Sequence, residues 1–149
     1  MSRPTLGDPN AQLAAKDAAN RLAAELQLGA ESLDADLYDQ SFADDVLWGS
    51  PYGATLTGFA PLDAIHRRLM EAPRNAADPD APPQAAPPSR FEVVAVLAPA
   101  PGVAVAQIRR QATARNGFSE MALYALVERQ GRWWLAAGQN APIRTAPTS

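Results

Sequence analysis

The chain contains no cysteine and a single histidine, His66, among its 149 residues. The first absence excludes disulfides and thiolate metal sites. The second would leave a metal site resting mostly on carboxylates, so no metal site is expected. Charged side chains make up only 19% of the chain and aromatic ones 7%. A net charge of -3 with a pI near 5.1 supplies no basic surface for phosphate, which argues against a nucleic-acid partner. No run approaches the ~18 consecutive apolar residues of a membrane span. The start, Met1-Ser2-Arg3-Pro4, leads into a polar helix and not an apolar signal core. The expectation is a cytoplasmic protein that makes no use of a membrane.

What the chain does have is 47% hydrophobic residues, 14 prolines and a surplus of alanine. Its length suits one core and is too short for two ordinary domains, so residues 1–149 read as a single domain. Tails are expected at about 1–8 and 144–149. Asp8 or Asn10 can cap a first helix through about Leu28, where Gly29 marks a stop. Ser32 or Asp34 can open a second short helix through Phe42. Val46 to Trp48 reads as a strand and Pro51-Tyr52-Gly53 as a turn. After Gly58, the spacing of Leu62, Ile65, His66 and Leu69 predicts a helix that buries one face and carries the only histidine inward.

Residues 72–89 hold six of the prolines (Pro73, Pro79, Pro82, Pro83, Pro87 and Pro88), so a Pro/Ala-rich loop is expected there. The remainder reads as strands over Phe91–Ala98, Val103–Ala114, Phe118–Glu128 and Trp133–Gln139. Their turns fall at Pro99-Ala100-Pro101-Gly102, Arg115-Asn116-Gly117 and Gln130-Gly131. Helices first and an antiparallel meander last define an α+β fold.

The order of these elements, with the run Phe42-Ala43-Asp44-Asp45-Val46-Leu47-Trp48-Gly49-Ser50-Pro51-Tyr52-Gly53, resembles the nuclear transport factor 2-like superfamily over nearly the whole chain. The resemblance implies a cone: three helices across a curved, mostly antiparallel sheet that encloses an apolar pocket. It also implies a homodimer through the outer sheet face. More narrowly, Asp34-Ala35-Asp36, Phe42-Ala43-Asp44-Asp45, Trp48, Gly58 through His66 and the stretch Gly131-Arg132-Trp133-Trp134-Leu135-Ala136-Ala137-Gly138-Gln139-Asn140 resemble the SnoaL-like SgcJ/EcaC family of bacterial secondary metabolism. Leu135 and Ala141 stand where that family usually has Ile and Thr.

Steroid isomerases of the superfamily offer a comparison. Their general-base position falls on Ser50, their first-helix Tyr near Leu26, their protonated Asp near Leu123 and a second pocket Tyr on His66. A lone serine hydroxyl is no base near neutral pH, so that chemistry is not supported here. SnoaL-type cyclases use a strand Asp. The strands of this chain carry Glu92, Glu120 and Glu128 instead, and Glu120 shares a face with Ala122 and Tyr124, opposite Met121 and Leu123.

The candidate catalytic residues are therefore His66, Ser50 and Glu120. Histidine titrates near physiological pH and serves as acid or base, although a core histidine satisfied by a carbonyl is the plainer reading. Ser50 with His66 and an acid such as Asp45 would mimic a nucleophilic triad, but a Ser-Pro turn is as ordinary a reason for the serine. Candidate ligand contacts are Trp48, Tyr52, His66, Arg109, Tyr124, Trp133, Gln139 and Asn140. Arg109 shares a face with Gln107 and Gln111, and Arg110 on the other face is its rival. Trp133 and Trp134 must point to opposite faces. Asp34, Asp36, Asp44 and Asp45 read as helix-end caps and solvated charges.

These residues and the resemblance imply an accessory protein of polyketide- or enediyne-type biosynthesis. It would hold a hydrophobic intermediate without a cofactor, in contact with the biosynthetic enzymes of the pathway. One alternative is an isomerase, cyclase or hydrolase using His66. Another is a dimeric interaction module with a vestigial pocket.

Overall fold

The computed structural model describes residues 2–71, 89–113 and 118–144. Three helices, α1 (Gln12–Ser32), α2 (Ala35–Tyr38) and α3 (Phe59–Glu71), accompany six strands. These are β1 (Phe42–Gly49), β2 (Thr55–Thr57), β3 (Ser89–Ala100), β4 (Val103–Ala112), β5 (Glu120–Arg129) and β6 (Arg132–Pro142). They form one curved sheet in the order β2-β1-β6-β5-β4-β3, antiparallel except where β1 runs parallel to β6. The expected α+β architecture is the one observed. No described helix is long and apolar enough to cross a membrane.

Alternation of burial fixes which face of the sheet is concave. Ala104, Ala106 and Ile108 of β4 and Ala122, Tyr124 and Leu126 of β5 are buried, together with Phe42, Val46 and Trp48 of β1. They join Ala15, Ala18, Ala19, Leu22, Ala23 and Leu26 of α1 in a single core. Alanine on both sides brings helix and sheet close, which explains why small residues line the inside.

Several boundaries differ from those expected. The first helix begins without a side-chain cap, since Asp8 accepts from the Asn10 amide and its own N–H bonds Ala98 in β3. It runs through Gly29 and stops at Leu33, which takes a left-handed conformation (φ 51°). Gly29 is a close-packing glycine and not a stop, because a Cβ there would lie 2.4 Å from the backbone nitrogen of Tyr38. The second helix spans only Ala35–Tyr38, with Asp34 capping it through the amides of Asp36 and Leu37. Phe42 already belongs to β1, which is longer than the three residues expected.

On α3, Leu62 and His66 are buried while Leu69 is exposed. Asp34 is a cap as expected, but Asp44 and Asp45 lie on β1, both exposed. The Pro/Ala-rich segment through residue 88, the Arg115-Asn116-Gly117 turn and the tail beyond 144 lie outside the described residues.

Candidate functional site

A cavity of about 560 Å³ opens between α3, the α1–α2 junction and the concave face of β1, β5 and β6. Its wall is mostly apolar, with Leu33, Trp48, Leu56, Leu62, Ile65, Met70 and Phe118 contributing. The polar groups facing it are few: Tyr38, Ser50, Tyr52, His66, Arg110, Glu120 and Asn140. A largely apolar wall with a handful of converging polar groups is the usual make-up of a small-molecule site.

At the base stands a buried dyad. His66 Nδ1 lies 2.6 Å from Oδ1 of Asp39, a residue only 1% exposed that ends α2. A carboxylate oxygen accepts, so the Nδ1–H donates, and Nε2 is the ring nitrogen left for the cavity. Nε2 is thus the ring nitrogen that Asp39 does not engage. The ring is also held edge-on by Tyr38, Trp48 and Phe42, with centroids 5.0, 5.6 and 6.1 Å away. Burial raises the Asp39 carboxyl above its ordinary range, opposed by the hydrogen bond and charge of His66.

The second polar group comes from the strands. Glu120 and Arg110 are cross-strand neighbours on β5 and β4, with 3.8 Å between their charged atoms. Burial raises the Glu120 carboxyl, and Arg110 and then His66 draw it back down. Arg110 donates from Nε to Ser89 Oγ and lies over the ring of Phe91. Desolvation pushes the Tyr38 and Tyr124 phenols above the ordinary tyrosine range, so both hold their protons.

Of the residues named from sequence, His66, Ser50, Glu120, Trp48, Tyr52 and Asn140 border this cavity. Ser50, however, accepts from the amides of Tyr52 and Ala54 through Oγ, which makes it a turn-former. No Ser50–His66–Asp45 triad forms, because His66 takes Asp39 and the Asp45 side chain is exposed. Asn140 donates to the Gly49 carbonyl and ties β6 to β1.

Four expected contacts lie elsewhere. Arg109 points to the outer face and pairs with Glu92, so Arg110 is the arginine in the cavity. Gln139 lines a shallow depression on the outer face with Leu47, Leu123 and Ala137. Trp133 borders a separate polar hollow with Arg21, Glu25 and Ser41. Tyr124 is buried beneath Trp48 and stacked on it, and it borders the outer depression. At the steroid-isomerase positions, Leu26 is buried in the core and Leu123 is outside, half exposed. Sequence reasoning missed Asp39 and Tyr38, and held Arg110 only as the rival of Arg109. The only signal for Asp39 was an unassigned carboxylate just before a strand.

No protein-family model and no curated protein matches the chain. Solved structures do match in shape. An NTF2-like protein of unknown function from Shewanella baltica is 11% identical, with a TM-score of 0.64 over 89% of this chain and 97% of its own. This chain has the NTF2-like fold. An uncharacterized cystatin-like-fold protein from Caulobacter vibrioides is 18% identical at a TM-score of 0.65, covering 88% of this chain and 91% of that one. A cystatin-like-fold domain from Nostoc punctiforme reaches 0.69 at 13% identity, over 89% and 79%. At such identities the NTF2-like fold is what is shared, and the chemistry must be argued from this chain's own residues.

Proposed function

We propose that this protein binds a small, largely apolar molecule in the 560 Å³ cavity and that His66 exchanges a proton with it. The observation that carries the reading is the Asp39–His66 dyad, whose 2.6 Å contact orients Nε2 toward the cavity. An imidazole held by a buried carboxylate is a standard way to fix a tautomer and to stabilise the imidazolium that forms when it acts as base. Glu120 and Arg110 border the same cavity and would orient a carbonyl or carboxylate on the occupant. An isomerisation, cyclisation or elimination, each needing one proton removed and one returned, suits this set.

The resemblance of Asp34–Asp36, Phe42–Asp45, Trp48, Gly58–His66 and Gly131–Asn140 to SgcJ/EcaC-type proteins supports an intermediate of polyketide- or enediyne-type biosynthesis as the occupant. Biosynthetic enzymes of that pathway are then the natural partners. Leu47, Leu97 and Leu123, half-exposed on the outer face, support a homodimer, which sedimentation velocity would test. The accessory role without turnover is the reading that remains if binding is found and chemistry is not.

The decisive experiment is native mass spectrometry of the protein isolated from its producing cells, followed by extraction and identification of any bound molecule. That molecule is then incubated with wild type and His66→Gln. A product formed by wild type, with a rate at least a hundredfold lower in His66→Gln, is expected. Equal rates would overturn the role of His66. Binding without product would leave the accessory reading, and an empty protein from active cells would count against both.

A further inference from the structure

The reading above uses only one oxygen of Asp39. The other, Oδ2, is buried and has no hydrogen-bond partner among the described residues. Asp63 repeats the pattern one helical turn before His66. Its Oδ2 accepts from Arg67 Nε at 2.7 Å, and its Oδ1 is buried without a donor. The i, i+3 spacing sets Asp63 and His66 on one side of α3, facing the end of α2 where Asp39 sits. Because His66 Nδ1 lies 2.6 Å from Asp39, the two carboxyls face each other across the α2–α3 junction, and Asp63 raises Asp39 by hydrogen bonding and by charge.

Two ionised carboxylates in contact would repel, and each would lose hydration with nothing in return. Among the described residues, no group of three His, Cys, Asp or Glu side chains is placed to hold a metal ion. One proton is enough: it makes one orphaned oxygen a donor and the other its acceptor, in a charge-assisted O–H···O bond.

We propose that Asp39 and Asp63 share a single proton at neutral pH, and that Asp63 is a positioning residue which sets how much negative charge Asp39 presents to His66. The functional meaning rests on the reading of His66 as an acid/base, but the test below does not. When Nε2 takes a proton from the bound molecule, the ring becomes a cation. The shared proton then shifts from the Asp39 oxygen to the Asp63 oxygen, and negative charge gathers on Asp39 beside the imidazolium. When His66 returns its proton the shift reverses, so no proton leaves the pair.

Arg67 holds the far side of Asp63 and also pairs with Asp36. The other titratable or charged groups facing the pair and His66 are the Tyr38 phenol, Glu120 and Arg110. Burial raises Asp39, and the hydrogen bond and charge of Asp63 act in the same direction.

Because His66 is the only histidine, nitrogen-15 labelling of histidine gives one set of ring resonances to titrate. Asp63→Asn keeps a donor for Asp39 Oδ2 but removes the shared proton, so the whole negative charge then sits on Asp39. The His66 titration midpoint is expected to move to higher pH than in wild type. If both carboxyls were ionised in wild type, the variant would remove a full negative charge and the midpoint would fall, which overturns the proposal. An unmoved midpoint overturns it as well.

A second measurement needs no variant. In wild type labelled with carbon-13 at aspartate side chains, the proposal expects one carboxyl to titrate above the ordinary carboxylate range. If every aspartate titrates within that range, the shared proton is absent. Turnover is scored separately: equal rates in wild type and His66→Gln would remove the catalytic reading and leave the titration result intact.

Discussion

Two arginine–glutamate pairs sit side by side on β4 with opposite fates. Arg109 meets Glu92 at 2.6 Å on the outer face, with side chains 38% and 48% exposed. Arg110 meets Glu120 at 3.8 Å on the inner face, with side chains 29% and 13% exposed. The shorter contact is the weaker argument, because water screens both partners and competes for their hydrogen bonds. The longer one lies where water is scarce, so its charges act on Tyr38, Tyr124 and His66 as well as on each other. The pleat alone separates the two pairs, sending consecutive side chains to opposite environments. Around β4, polar chemistry inside the fold is therefore a coupled set, and outside it is an isolated pair.

The sharpest way to break this contrast is to remove a member of the inner set. His66→Ala leaves the one negative charge of the buried Asp39–Asp63 pair without its imidazole partner, and a loss of about 3 kcal/mol is expected at neutral pH by urea denaturation. The deficit should shrink as the pH falls toward the unfolded aspartate value of 3.8, since the pair with both carboxyls protonated has no charge to compensate. A deficit that does not change with pH would mean that lost packing, not charge, is responsible.

Next in size is Gly29→Ala. Its new Cβ would press on the backbone of Tyr38, and backbone does not yield as a flexible side chain does. A loss of about 2 kcal/mol is expected in thermal or chemical melts. Because Asp39 follows Tyr38, the His66 ring resonances should shift too, and an unperturbed spectrum would show that the junction absorbs the strain.

Glu120→Gln tests coupling through pH. Burial raises the folded-state value of Glu120 above 4.5, so the native state holds that proton more tightly than the unfolded chain does. Wild-type stability from this group therefore falls as the pH rises from 4.5 through the raised value. The variant lacks that slope, so its melting temperature relative to wild type should climb with pH over this window. A constant difference would show Glu120 to be unperturbed.

The smallest effect is the direct comparison of the two arginines. Arg109→Ala is expected to change stability by no more than about 0.5 kcal/mol. Arg110→Ala, which loses its bond to Ser89 and its place over Phe91, should cost about 1 kcal/mol. Equal losses in the two melts would erase the distinction between the faces.

Much of the fold was legible because local patterns carry it. Alternating strands, the Gln130-Gly131 turn with both residues at positive φ (55° and 79°) and the Leu62–His66 spacing all act over a few residues. What alternation does not reveal is which face is inside. On β4 it divides Val103, Val105 and Arg109 from Ala104, Ala106 and Arg110, and the bulkier set looks more like core. The reverse holds because the alanine-rich face of α1 joins the inner face in one core, where Ala104 and Ala106 are buried with Ile108. His66 was legible as an inward residue of a helix. Its partner was not, since Asp39 lies 27 residues away in a short junction whose path depends on the close contact at Gly29. The split of Trp133 from Trp134 followed from the pleat, whereas the turn-holding task of Ser50 depends on loop geometry that residue spacing does not encode.

The parallel pairing of β1 with β6 has a consequence for how the molecule is made. Asn140 bonds Gly49 from 91 positions further along the chain, and β1 otherwise has only the three-residue β2 beside it. As the polypeptide leaves the ribosome, α1 through α3 must wait for the final strand before the wall bearing Trp48 has a neighbour on its long edge. Closing so distant a contact is slow, so the half that carries His66 spends its early life without the sheet that will shelter it. Aggregation during synthesis would then start from the Phe42–Gly49 segment.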